Sequence, residues 1–340
     1  MKQRIKKGAS APKKEKNTRG SISPITEPAL PLLLCTVTFI ICFILLVIDR
    51  FVFPLGKEPL SPIVSQLAAL VFPAYLVILL TCSDKSAFAQ MREIGFRALR
   101  AQYVFFIIFS SLFAMSASLI LTLAFGGANE AANGMTLLGV FTAGENEFSV
   151  SILYLIFVYA VIPALCEEFF FRGVVFSQLE KVSFPFAAAV SAIICTLFGF
   201  SLGAVMPTLF VCLVSVFLLY TTKSLWACVI MHFLFNLYRL FLEANIATYF
   251  LSSRDNTVLV ITIILVLLIS SLLFFAEGAR IFRKRAASIA NKKAKSNSKF
   301  VNISSLTDEV RASLAYTPTL VFSLICLTVF IATTVINYIV

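Results

Sequence analysis

Two short stretches of the 340-residue sequence carry residues suited to chemistry. The first, "CEEFFFR", holds Glu167, Glu168 and Arg172; the second, "MHFLFNL", holds His232 and Asn236. On a helix Glu168 and Arg172 lie four apart and share a face, where a guanidinium fork can match a carboxylate. Glu167, turned about 100° away, has no such partner on its own helix. A charged group in the apolar zone costs roughly 2.5–3.5 kcal/mol and faces a protein interior or a water-filled cavity. Desolvation there suits Glu167 to take up a proton, which is the work of a general base. Solvated acids at a membrane surface are the plainer reading of two glutamates at the end of an apolar run. The flanks "VYAVIPALC" and "FFF" argue against it, because they embed the acids in apolar sequence.

His232 is the single histidine of the chain, and Asn236 follows it by one helical turn. A lone polar residue in such a run is often an interhelical hydrogen bond. An imidazole and a carboxamide on one face can also hold a water or donate to a developing oxyanion. Arg239 and Glu243, again four apart, predict a structural ion pair at the far end of the same helix.

The elements that must position these groups follow from composition. The sequence is 59% hydrophobic and 13% charged, with 35 Phe; soluble domains carry about 25% charged residues. Apolar runs of about 20 residues cross a bilayer as helices. Such runs cover 30–53, 60–82, 101–125, 149–166, 184–201, 204–221, 225–242, 257–279 and 317–339. The expectation is an all-α polytopic membrane helix bundle of about 8–9 transmembrane helices, with the tight cluster 184–242 accommodating a short or broken helix. Residues 1–29 read as a basic, disordered cytoplasmic tail, followed by an uncleaved first span. Residues 30–125 form the N-terminal spans, 149–242 a core, and 280–316 a basic cytoplasmic loop between 257–279 and a last span at 317–340. The small residues of "AAAVSA", 187–192, favour close helix packing.

Charge placement sets the orientation. The formal net charge is +11, yet 20 of the 28 Lys and Arg fall in the tail before Leu30, in 83–100 and in 280–299. Nine spans with the N-terminus inside put all three segments in the cytoplasm and leave 126–148, which has no Lys or Arg, outside. The basic flanks then meet anionic headgroups, and no nucleic acid is needed as a partner. This places Glu167 and Glu168 at the cytoplasmic end of the fourth span, and "MREIGFRALR" along the inner interface. The eight Cys form no CxxC pair and read as small buried hydrophobes. With one histidine and no cysteine cluster, no metal site is expected, and no cofactor is implied.

Together the two stretches resemble the CPBP family of membrane-embedded CAAX proteases and bacteriocin-processing or immunity proteins. Glu167, Glu168 and Arg172 match the family's double-Glu and Arg motif; His232 and Asn236 match its last motif, approached by Ser224, Leu225 and Trp226. The resemblance covers about 149–242 and implies an intramembrane endopeptidase on a peptide or membrane-protein substrate. It implies Glu167 as the base, His232 and Asn236 as groups orienting water or stabilising an oxyanion, and Glu168 and Arg172 as shaping the site. The family's middle motif, Phe, three residues, then His, is met by Phe198 but departs at Leu202. Residues of one catalytic unit act together, so this departure weighs on activity.

Two functions follow: a glutamate-dependent endopeptidase cutting within or beside the membrane on its cytoplasmic side, or a pseudoprotease that binds a membrane partner without cutting. A transporter is the third class, and no internal repeat or paired broken helices support it. Short loops and an uncleaved start point to the plasma membrane of a bacterium.

Overall fold

In hydrocarbon every backbone N–H and C=O must be paired within the chain, so apolar runs become helices. The computed structural model describes residues 29–52, 60–81, 91–92, 94–125, 128–132, 152–180, 184–293 and 317–339. The basic tail and the acidic residues Glu145 and Glu147 lie outside the described residues. Among the described residues nine helices carry the fold: α1 (Ala29–Phe51), α2 (61–81), α3 (Val104–Ala124), α4 (Ile152–Leu179), α5 (Phe184–Leu197), α6 (Val205–Thr222), α7 (Leu225–Ser252), α8 (Thr257–Lys293) and α9 (Thr317–Ile339). No strand occurs among the described residues. Seven of these helices are long and apolar enough to cross a membrane; α5 and the apolar stretch Leu324–Val335 of α9 are shorter. The chain is a polytopic helical bundle.

Three helices run past the ends of their apolar runs. The fourth run was expected to stop at 166, before the acids; α4 instead continues through them to Leu179. Glu167 and Glu168 therefore sit in mid-helix rather than at a span end, because Arg172 neutralises Glu168 within the helix. Likewise α7 passes through the paired Arg239 and Glu243 to Ser252, and α8 reaches Lys293. A paired charge does not end a helix. At the start of α8, Asp255 Oδ1 accepts the Thr257 N–H at 2.9 Å, and these bonds hold its carboxyl below the usual range.

Away from the buried polar residues, aromatic and hydroxyl contacts join the helices. Phe274 of α8 stacks on Phe106 and Phe113 of α3 at centroid distances of 5.5 and 4.9 Å. Ser116 and Ser270 meet at 3.2 Å across the same pair. Ser110 and Ser111 bond back to carbonyls one turn earlier, which satisfies each hydroxyl inside an apolar environment. A second cluster gathers Phe39 of α1 and Phe171 of α4 around Phe198 and Phe200, in the bend after α5.

The segment 94–100 is a turn and an extended strap rather than a helix. Gly95 has φ +101°, a conformation L side chains rarely adopt. Its carbonyl accepts the Leu225 N–H at 2.8 Å, and Ser224 Oγ donates to the Arg97 carbonyl at 2.7 Å. The strap thus caps the start of α7, with Ile94 buried and Phe96 packed edge-on against Trp226.

Candidate active site

Three helices bring the polar residues together: α4 supplies Glu167, Glu168 and Arg172, α6 supplies Ser215, and α7 supplies His232 and Asn236. The backbone of α4 is widened to π-helical turns over Phe157–Val161 and Glu168–Phe176, and that of α7 over Arg239–Glu243. Pro163 contributes to the first, since it lacks an N–H and removes a rung from the ladder. These three wide stretches border one cavity of about 560 Å³, whereas a fourth, Leu67–Val71 in α2, does not; such turns often mark functional sites.

Glu168 is fully enclosed, 1% exposed. Its Oε1 lies 2.9 Å from His232 Nδ1 and 3.3 Å from Arg172 Nη1, and its Oε2 accepts from Ser215 Oγ at 3.2 Å. A buried carboxylate survives only when paired and hydrogen-bonded, and here three groups do that. With Glu168 ionised against Arg172, Nδ1 of His232 carries the donated proton and the ring is fixed in one tautomer. In the neutral ring Nε2 then presents its lone pair to the other side, where Glu167 Oε2 stands 3.7 Å away. Glu167 and His232 are 20% and 15% exposed, and both line the cavity. The 3.7 Å gap is too long for a direct hydrogen bond; a water can touch both atoms.

Asn236, buried one turn after His232, reaches the Ala160 carbonyl at 3.5 Å, the outer limit of a hydrogen bond. The expected pairing of Glu168 with Arg172 is present, and so is that of Arg239 with Glu243 at 3.1 Å. The latter pair stands on the cavity wall. Leu202 does not line the cavity and is 57% exposed, whereas its neighbours Ser201 and Gly203 do line it.

Three residues escaped the sequence reading. Ser215 holds Glu168, and its only signal was a hydroxyl inside "CLVSVF". Cys195 and Cys212 read as plain hydrophobes, yet Arg172 Nη1 donates to Cys195 Sγ at 3.2 Å and the two sulfurs are 2.8 Å apart. Arg172 Nη2 donates to the Cys212 carbonyl at 3.4 Å, while its Nε is buried without a partner. No group of three or more His, Cys, Asp or Glu suited to a metal occurs among the described residues.

Residues 149–238 match the family described as type II CAAX prenyl endopeptidase Rce1-like. This stretch is similar to the Rce1-like domain of the CPBP family. The matched stretch contains every candidate catalytic residue and Leu202. No curated protein and no solved structure matches the chain. The helices make the chain a multi-pass membrane protein, and the family that 149–238 match is one of membrane endopeptidases.

Proposed function

We propose that the Rce1-like domain hydrolyses a peptide bond with a water held between Glu167 and His232. The observation that carries this reading is the 3.7 Å approach of Glu167 Oε2 to His232 Nε2, with the other ring nitrogen tied to Glu168. In this reading the water donates one hydrogen to the Glu167 carboxylate and one to Nε2, so its lone pair faces the cavity. As its oxygen attacks the carbonyl carbon, Glu167 takes the proton. The tetrahedral oxyanion accepts from the Asn236 carboxamide, which gives up its long contact to Ala160. Collapse breaks the C–N bond, and Glu167 returns the proton to the leaving amine. Glu168 and Arg172 stay ionised and hold the imidazole. The basic flanks rest against anionic headgroups, and the plasma membrane of a bacterium is the setting this reading favours.

The test is the full-length protein in detergent on a mixed library of membrane-segment peptides. A positioned base contributes about 10²–10⁴-fold, so Glu167→Gln loses that much turnover. If wild type and Glu167→Gln release the same fragments, Glu167 is not the base.

A second reading, binding without cleavage, is favoured by one observation: Leu202 stands away from the cavity, and the chain has no other histidine than His232. It expects the library peptides to be retained intact, equally by wild type and Glu167→Gln.

A further inference from the structure

The cavity extends toward one end of the bundle and stops short of the other. From α6 it takes residues between Pro207 and Ser215 and none nearer Thr222; from α7 it takes none before Met231 and continues to Ala244. From α4 it takes none after Arg172, and from α3 only Ser118 and Thr122, near the helix C-terminus. The helices that line it therefore all do so toward the same end of the bundle. The opposite end carries Arg92, Arg97 and Arg100 before α3, Lys223 between α6 and α7, and Arg280, Arg283 and Lys284 late in α8. At that end the strap 94–100 closes the bundle: Phe96 packs on Phe169 and Trp226, and the Ile94 carbonyl lies 3.7 Å from where a Cβ on Gly173 would stand.

Lys- and Arg-rich segments stay on the cytoplasmic side. With the strap end cytoplasmic, the mouth faces the opposite way. We propose that the cavity opens to the extracytoplasmic face, so that Glu167 and His232 meet peptide segments presented outside the cytoplasmic leaflet. This replaces the cytoplasmic-side cleavage expected from the sequence, which assumed that the acids stood at the inner end of a span. As a statement about substrate it rests on the hydrolytic reading; as a statement about access it stands on charge and cavity alone. The substrate class is an extracytoplasmic peptide or the outer juxtamembrane part of a membrane protein.

A bulky, membrane-impermeant maleimide on intact cells tests it, with the wild-type protein and its own cysteines as background. Ser252→Cys lies at the mouth end, and Ala98→Cys in the strap; both side chains are exposed. The expected result is labelling of Ser252→Cys in intact cells and of Ala98→Cys only after permeabilisation. Arg254→Cys takes the place of Ser252→Cys if that variant does not accumulate. Labelling of Ala98→Cys in intact cells overturns the proposal, and so does protection of the mouth position there. Sealed vesicles of both orientations, given the peptide library from outside, supply the second arm. Cleavage is expected only where the mouth faces the peptide, and cleavage only in the other orientation overturns the proposal. Correct labelling with no cleavage in either orientation leaves the access assignment standing and sinks the hydrolytic one.

Discussion

At the scale of residues, the two adjacent glutamates do different work. Glu168 is enclosed and committed to Arg172, Ser215 and His232; Glu167 is partly exposed, and its nearest charged partner among the described residues is the imidazole at 3.7 Å. The division between a paired and a poised acid was legible from the i,i+4 spacing alone. The bond from Glu168 to His232 was not, because it joins residues 64 apart in the chain. Breaking a buried pair from one side leaves a charge uncompensated, at a cost of about 3–5 kcal/mol. Glu168→Leu and Arg172→Met should each lower the thermal midpoint of the detergent-solubilised protein sharply. The double variant should recover most of that loss; additive losses would show that the pair is not a closed unit. The cavity geometry also predicts the outcome at the departed motif position. Leu202→His should leave turnover unchanged, because position 202 is off the cavity wall. Ser201→His, which puts an imidazole on that wall, should change it. A gain of cleavage in Leu202→His would mean that the bend 198–204 rearranges.

At the scale of elements, hydropathy located the helices and misjudged where three of them end. The expected runs stopped at 166 and 242, yet Glu168 with Arg172 and Arg239 with Glu243 are neutralised inside α4 and α7, which therefore continue. The strap was the element least legible in sequence. The mixed composition of "MREIGFRALR" placed it along the inner interface without showing the turn at its centre, which the positive φ of Gly95 makes possible. Holding a residue with a side chain in a disfavoured backbone region costs of order 1–3 kcal/mol. Gly95→Ala should therefore destabilise the protein by that amount in thermal unfolding. It should also loosen the Gly95–Leu225 and Arg97–Ser224 bonds that cap α7. An unchanged midpoint would mean that the strap adapts freely.

At the scale of the whole molecule, a cavity lined by polar side chains and reaching the middle of the bundle thins the barrier a membrane presents. On the side of the strap, Leu225 packs on Gly95 and Gly173 and Leu219 on Gly95, both leucines buried, and in the proposed orientation the transmembrane voltage falls across that apolar layer. Moving one elementary charge through 100 mV costs about 2.3 kcal/mol. A proton reaching Glu167 from the cavity crosses little of this drop; one continuing inward would meet nearly all of it. The apolar floor is thus an electrical insulator as well as packing. In planar bilayers the protein should add no conductance, while the double variant Leu219→Ala, Leu225→Ala should leak. Such a floor lets a carboxylate deep in a membrane meet water without opening a path for ions across it.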